Sequence, residues 1–197
     1  MNIVKIQNIK KTIITVSDIQ KEFGITKESA QVTASRYVKA NLLYRLKRDF
    51  YILPQIFKLL SEEELFSISN LLQTPSYVSL TTALSYYNLT TQQTPNFIEA
   101  IALKRTKSIR MLNKEFNYSL VKKTIYSDFI RKENFFIALP EKALADLIYL
   151  TAIGLYNADF DAINFEHFDK SRVSSILINS NKAALNLWQK LIKNYEI

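Results

Sequence analysis

Two sets of side chains in this 197-residue chain could do chemistry. The first is acidic and surrounds the single histidine: Asp159, Asp161, Glu166, His167 and Asp169, within DFDAINFEHFD. Carboxylates with one imidazole can hold a hard divalent ion. Their spacing fits no calcium loop, because the central glycine is missing, and loop and helix-cap roles explain the acids more simply. The expectation is no metal and no cofactor. A Ser-His-Asp arrangement has no Gly-flanked nucleophile turn to build on. With Gly24 and Gly154 as the only glycines, a Gly-rich phosphate loop or dinucleotide fingerprint cannot be assembled. No catalytic residue is assigned, and the chain is expected not to be an enzyme.

The second set is basic. Arg45, Lys47 and Arg48 sit inside NLLYRLKRDFYIL, residues 41–53, between two short apolar runs. Charge along the chain gives this cluster meaning. Residues 1–60 hold eleven Lys or Arg against four acids, whereas the remainder hold fifteen against fourteen. Nearly all of the net charge of +8 therefore lies in the first third, the asymmetry expected of a nucleic-acid-binding module.

The elements that must position these cations read as a helix-turn-helix followed by a hairpin. Ile3, Ile6 and Ile9 mark a first helix somewhere in residues 1–14, with Lys5, Lys10 and Lys11 outside it. Thr15 to Phe23 forms the next, with Ser17 as N-cap and Val16, Ile19 and Phe23 on one stripe. Gly24 ends it, Ile25 plugs the turn, and Thr26 caps a helix from Lys27 to about Ala40, with Ser29 three residues on.

On that helix Ala30, Ala34, Tyr37, Val38 and Asn41 share the inner sector. Glu28, Ser29, Val32, Ser35, Arg36 and Lys39 face out, and small, polar and basic residues there suit a major groove. A solvated amphipathic helix is the plainer alternative. Leu42, Tyr44 and Leu46 alternate with Leu43, Arg45 and Lys47 as a half-buried strand. Phe50 to Leu53 returns, with Lys47, Arg48 and Asp49 at the turn. A helix-turn-helix followed by a basic hairpin is a winged helix, whose hairpin places Arg45, Lys47 and Arg48 near phosphates or the minor groove.

After about residue 60 the pattern changes. Ser61 with Glu62, Glu63 and Glu64 opens a helix with Leu65, Ile68, Leu71 and Leu72 inside, stopped at Thr74-Pro75. Ser79 to Thr82 opens another, burying Ala83, Leu84 and Tyr87. Phe97–Leu103, Phe116–Val121 and Phe135–Leu139 read as strands. Pro140 starts a helix carrying Ala143, Leu144, Leu147, Ile148 and Thr151, and Lys182–Tyr195 forms the last, burying Leu185, Trp188, Leu191 and Ile192. The fold class is α+β: a winged helix-turn-helix over 1–60, then a mixed domain over 61–197 with a small sheet flanked by helices. Lys104, Arg105, Lys107, Arg110, Lys114, Lys122 and Lys123, against Glu115 alone, form a second candidate basic surface. Ordinary solvated strand edges and loops are the plainer alternative.

With 48% hydrophobic residues, the chain is expected to fold. It has no cysteine for disulfides or thiolate metal sites. No apolar run approaches membrane-spanning length and no leader is read at the start, so the expected address is the cytoplasm.

Three stretches, LLYRLKRDFYIL, TPSYVSLTTALSYYNL (74–89) and FFIALPEKALADLIYL (135–150), together resemble the AbiEi-like antitoxins of the AbiE abortive-infection, type IV toxin-antitoxin systems. The resemblance covers much of residues 15–150. It implies a transcriptional regulator whose winged helix binds inverted repeats of double-stranded DNA in its own promoter. It further implies a second domain that counters a nucleotidyltransferase-like toxin without a stable complex. Asn41 and Asp49 depart from the family, where glycine is usual, although both residues tolerate turns. On this reading Arg36 and the outward residues of the second helix read bases. Lys27, Arg45, Lys47 and Arg48 bind phosphate, and Thr26 at the start of the helix belongs to the same DNA-binding set. Two other readings compete: a regulator with no toxin partner, whose second domain senses a ligand or oligomerises, and a nucleic-acid-processing enzyme built on the acids around His167.

Overall fold

The computed structural model describes residues 3–195, and the side chain of Ile3 lies outside what it describes. The fold is mixed α+β, with the chain divided into two compact units, Met1–Ser61 and Glu62–Ile197.

The first unit contains α1 (Ile3–Gln7), β1 (Ile14–Thr15), α2 (Val16–Phe23), α3 (Lys27–Lys39), β2 (Tyr44–Lys47), β3 (Phe50–Ile52) and α4 (Pro54–Lys58). Its strands order β1-β3-β2, all antiparallel. Helix α1 ends at Gln7, so Ile9 lies beyond it, and Ile14 and Thr15 pair with Tyr51 and Phe50 as a strand. The cap of α2 also lies earlier than expected. Thr15, not Ser17, is the N-cap: its hydroxyl accepts from the Asp18 amide at 3.2 Å, and the Asp18 carboxylate accepts from the Thr15 amide at 2.9 Å. Two otherwise orphaned donors are satisfied at once.

Gly24 leaves α2 at φ 63°, and the Thr26 hydroxyl caps α3 by accepting from the Ser29 amide. The two helices close on a core of Ile6, Ile14, Val16, Ile19, Ala30, Ala34, Tyr37, Leu43, Tyr51 and Leu53, with Phe23, Ile25 and Val38 packed against it. Asn41, expected in the core, is exposed; at φ 56° it ends the helix in the left-handed region and turns outward. The hairpin also departs from simple alternation. A bulge between Arg45 and Lys47 inserts Leu46, so Leu43 and Leu46 are buried while Leu42 and Tyr44 are only half-buried.

The second unit contains α5 (Glu62–Leu72), β4 (Ser76–Val78), α6 (Leu80–Tyr86), β5 (Phe97–Ala102), β6 (Lys107–Met111), β7 (Lys114–Leu120), β8 (Phe129–Lys132), β9 (Phe135–Ala138), α7 (Pro140–Ala152), α8 (Lys170–Ile178) and α9 (Lys182–Asn194). One mixed sheet runs β6-β7-β5-β4-β9-β8, with β4/β9 and β5/β7 parallel. It is wider than the small sheet expected, since β4, β6 and β8 join the anticipated β5, β7 and β9. Helix α8 was likewise not anticipated.

Helix α7 is buried continuously from Lys142 to Leu150. Lys142, in the first turn of the helix, is 1% exposed. Its ammonium lies 2.8 Å from the Asp146 carboxylate and donates to the Ile125 carbonyl at 2.6 Å. Asp146 also accepts from the hydroxyls of Tyr77 and Ser79 at 2.9 and 2.8 Å. These bonds offset the desolvation that would otherwise expel a charge from the core.

Candidate functional site

Helix α3 presents Glu28, Ser29, Val32, Ser35, Arg36 and Lys39 to solvent, all exposed, on the face opposite Ala30, Ala34 and Tyr37. Val32 is 51% exposed, an apolar side chain left in water on a polar face. Glu28, Gln31, Val32, Ser35, Arg36 and Lys39 line a shallow hollow along the helix. Hydrogen bonds from its own amide and the Thr26 hydroxyl hold the Glu28 carboxyl below the usual carboxylate range, so that carboxylate is drawn to the helix start. Thr26 and Lys27 are exposed at the same end.

The hairpin is tied to this helix. Asp49, at φ 66°, makes the turn with Arg48, and its carboxylate accepts from the Gln31 side-chain amide at 3.3 Å. Its carbonyl accepts from the Val16 amide at 3.2 Å. The turn is therefore anchored to both α2 and α3. Arg45 and Arg48 are exposed, the Arg48 side chain by 84%. Lys47 is half-buried, with its ammonium 4.7 Å from the centre of the Phe50 ring. Sequence reasoning missed the Gln31–Asp49 bond. It joins positions eighteen residues apart, and neither carries a local pattern that would pair them.

At the front of the unit, Lys11 lies 2.5 Å from Asp18. Burial works against the Asp18 charge, yet Lys11 and Thr15 outweigh it and hold the carboxyl below its ordinary value. This cation is spent on structure.

The second basic set does not form one surface. Strand β5 runs parallel to β7 with Ala102 opposite Leu120, so Lys104 and Arg105 leave the sheet at the same end as Lys122 and Lys123. Lys107, opposite Tyr118, opens β6 toward that end. Arg110 and Lys114 lie at the other end, about 20 Å away at the usual strand rise. There Arg110 contacts Glu115 at 2.8 Å and Lys114 donates to the Pro95 carbonyl at 2.8 Å.

The acids around His167 are likewise dispersed into structural roles. Asp169 caps α8 by accepting from the Ser171 and Arg172 amides. Asp161 accepts from the Tyr195 hydroxyl, and Asp159 from the Gln92 amide at 3.3 Å. His167 and Glu166 are exposed in a short 3-10 turn. Among the described residues, no group of three His, Asp or Glu is placed to hold a metal ion. No helix among them is long and apolar enough to cross a membrane.

No family model matches the chain, and no curated protein matches it. Among solved structures, the crystal structure of RV2827C protein from Mycobacterium tuberculosis is similar at 9% sequence identity and a TM-score of 0.59. The match covers 97% of this chain and 74% of that one. At that identity the likeness concerns the fold alone.

Proposed function

We propose that the chain is a DNA-binding regulator, an antitoxin and autorepressor of a type IV toxin-antitoxin operon. The observation that carries the reading is the pairing of α3 with the β2–β3 hairpin. A helix with a wholly exposed polar and basic face is followed directly by a basic turn, and Asp49 bonds that turn to Gln31. On this reading the first unit is a winged helix. Arg36, Val32 and Ser35 enter the major groove, where Arg pairs with guanine and Val meets a thymine methyl. Lys27, Arg45, Lys47 and Arg48 neutralise phosphates.

The antitoxin part rests on the resemblance of 74–89 and 135–150 to the AbiEi-like family. In this protein those stretches supply β4, α6, β9 and α7. The buried Lys142–Asp146 pair gives the PEKAL stretch an internal role: it ties α7 to Tyr77 and Ser79 on the other segment. The partner is a nucleotidyltransferase-like toxin encoded beside it.

Co-expression with the neighbouring gene tests this part. Restored growth in cells expressing that gene product, with no co-purifying complex, is the expected result. Growth arrest unaffected by the chain would leave a regulator without a toxin partner.

A further inference from the structure

The second unit carries a groove of about 440 Å³ lined by the rings of Tyr126, Phe129 and Phe136 together with Leu71 and Pro75. Its aromatic wall is built as a set: Tyr126 and Phe129 lie 5.0 Å apart edge-on, and Phe129 and Phe136 lie 6.0 Å apart edge-on. Phe136 is nevertheless 39% exposed, a ring standing open to water. Asn134 also lines it, and Asn70 is held in place by bonds to the Phe136 amide and the Ser76 carbonyl.

Thr74 lines this groove and also a second hollow formed with Leu72, Gln73, Lys104 and Arg105. The Gln73 side chain fixes the basic loop by donating to the Arg105 carbonyl at 2.7 Å. Register then adds Lys107, Lys122 and Lys123 to that end of the sheet. Glu115, the one acid in residues 103–124, sits at the far end bound to Arg110. At the β8–β9 turn Arg131 is exposed, whereas the Lys132 ammonium is turned to Tyr86, 4.7 Å from its ring centre.

We propose that this end of the second unit binds single-stranded nucleic acid, with an unpaired base in the aromatic groove and successive phosphates on the adjoining cations. An open aromatic wall beside a basic track is what a single strand needs: rings stack on any base, and cations follow the backbone. Five cations exceed the requirement of one phosphate, which selects a chain over a free nucleotide. The site is built from residues of the second unit alone.

The test uses the full chain and a fluorescein-labelled oligoadenylate, ribo and deoxy, read by anisotropy. Phe136→Ala should weaken binding about tenfold, and Phe136→Tyr should leave it intact. Lys104→Ala with Arg105→Ala should flatten the log-log salt slope by about 0.7 for each lost phosphate contact. Both should leave duplex binding unchanged, whereas Arg36→Ala should do the reverse. No saturable binding would overturn the proposal, as would equal binding of AMP. Loss of oligonucleotide binding through Arg36→Ala and not Phe136→Ala would also overturn it, assigning the strand to the first unit.

Discussion

Glu99 is 3% exposed on β5, facing the start of α6. Burial pushes its carboxyl up to about 7, against bonds from the Tyr156 hydroxyl and the Thr82 and Thr81 amides. The folded state therefore holds this proton more tightly than the unfolded chain, whose carboxyl titrates near 4.5. Between those values stability falls as pH rises, and above about 7 the full cost of the buried charge is present. Glu99→Gln should remove it. Urea unfolding should find the variant more stable than the native chain at about pH 8, by up to about 3 kcal/mol, with the gap closing near pH 4.5. A gap independent of pH would contradict this placement. Sequence gave no warning, because an acid alternating with Ile98 and Ala100 reads as solvent-facing until α6 is known to cover that side.

At the scale of elements, several boundaries set by single residues were legible. Gly24, Thr26 and Pro140 each set a helix boundary through their own backbone or side chain, without help from distant residues. The cap at Thr15 is local as well, a box closed with Asp18 three residues on, and it was missed because Asp stands where Glu or Gln is usual. Strands β6 and β8 carry KSIRM and FIRK, patterns too charged and short to declare themselves until β7 and β9 pair with them. In the hairpin the bulge at Leu46 was invisible for the same reason, yet it turns Leu46 inward and leaves Arg45 outside. If the hairpin is a wing, changing Arg45, Lys47 and Arg48 together to Ala should weaken duplex binding across sequences. It should also flatten the salt slope by about 0.9 per lost phosphate contact. An unchanged slope would remove the hairpin from the interface.

At the scale of the whole molecule, charge along the chain and charge in space tell different stories. The surplus in residues 1–60 is partly structural: Lys11 holds Asp18, and the Lys5 ammonium lies 5.3 Å from the centre of the Phe23 ring. What remains outward is concentrated on α3 and the hairpin. The second set, contiguous in sequence, is split by strand register into a free basic end and an occupied one. A linear count cannot make that division, because the direction of each strand decides it. The resemblance to AbiEi-like antitoxins and the exposed face of α3 converge on one claim, sequence-selective recognition of duplex DNA by the first unit. The direct test is a mobility-shift titration of the full chain on the DNA upstream of its own gene, against a scrambled duplex of equal length at moderate salt. The account predicts binding to the upstream DNA at least about 10³-fold tighter, lost with Arg36→Ala. Equal binding to both duplexes, undisturbed by Arg36→Ala, would contradict it.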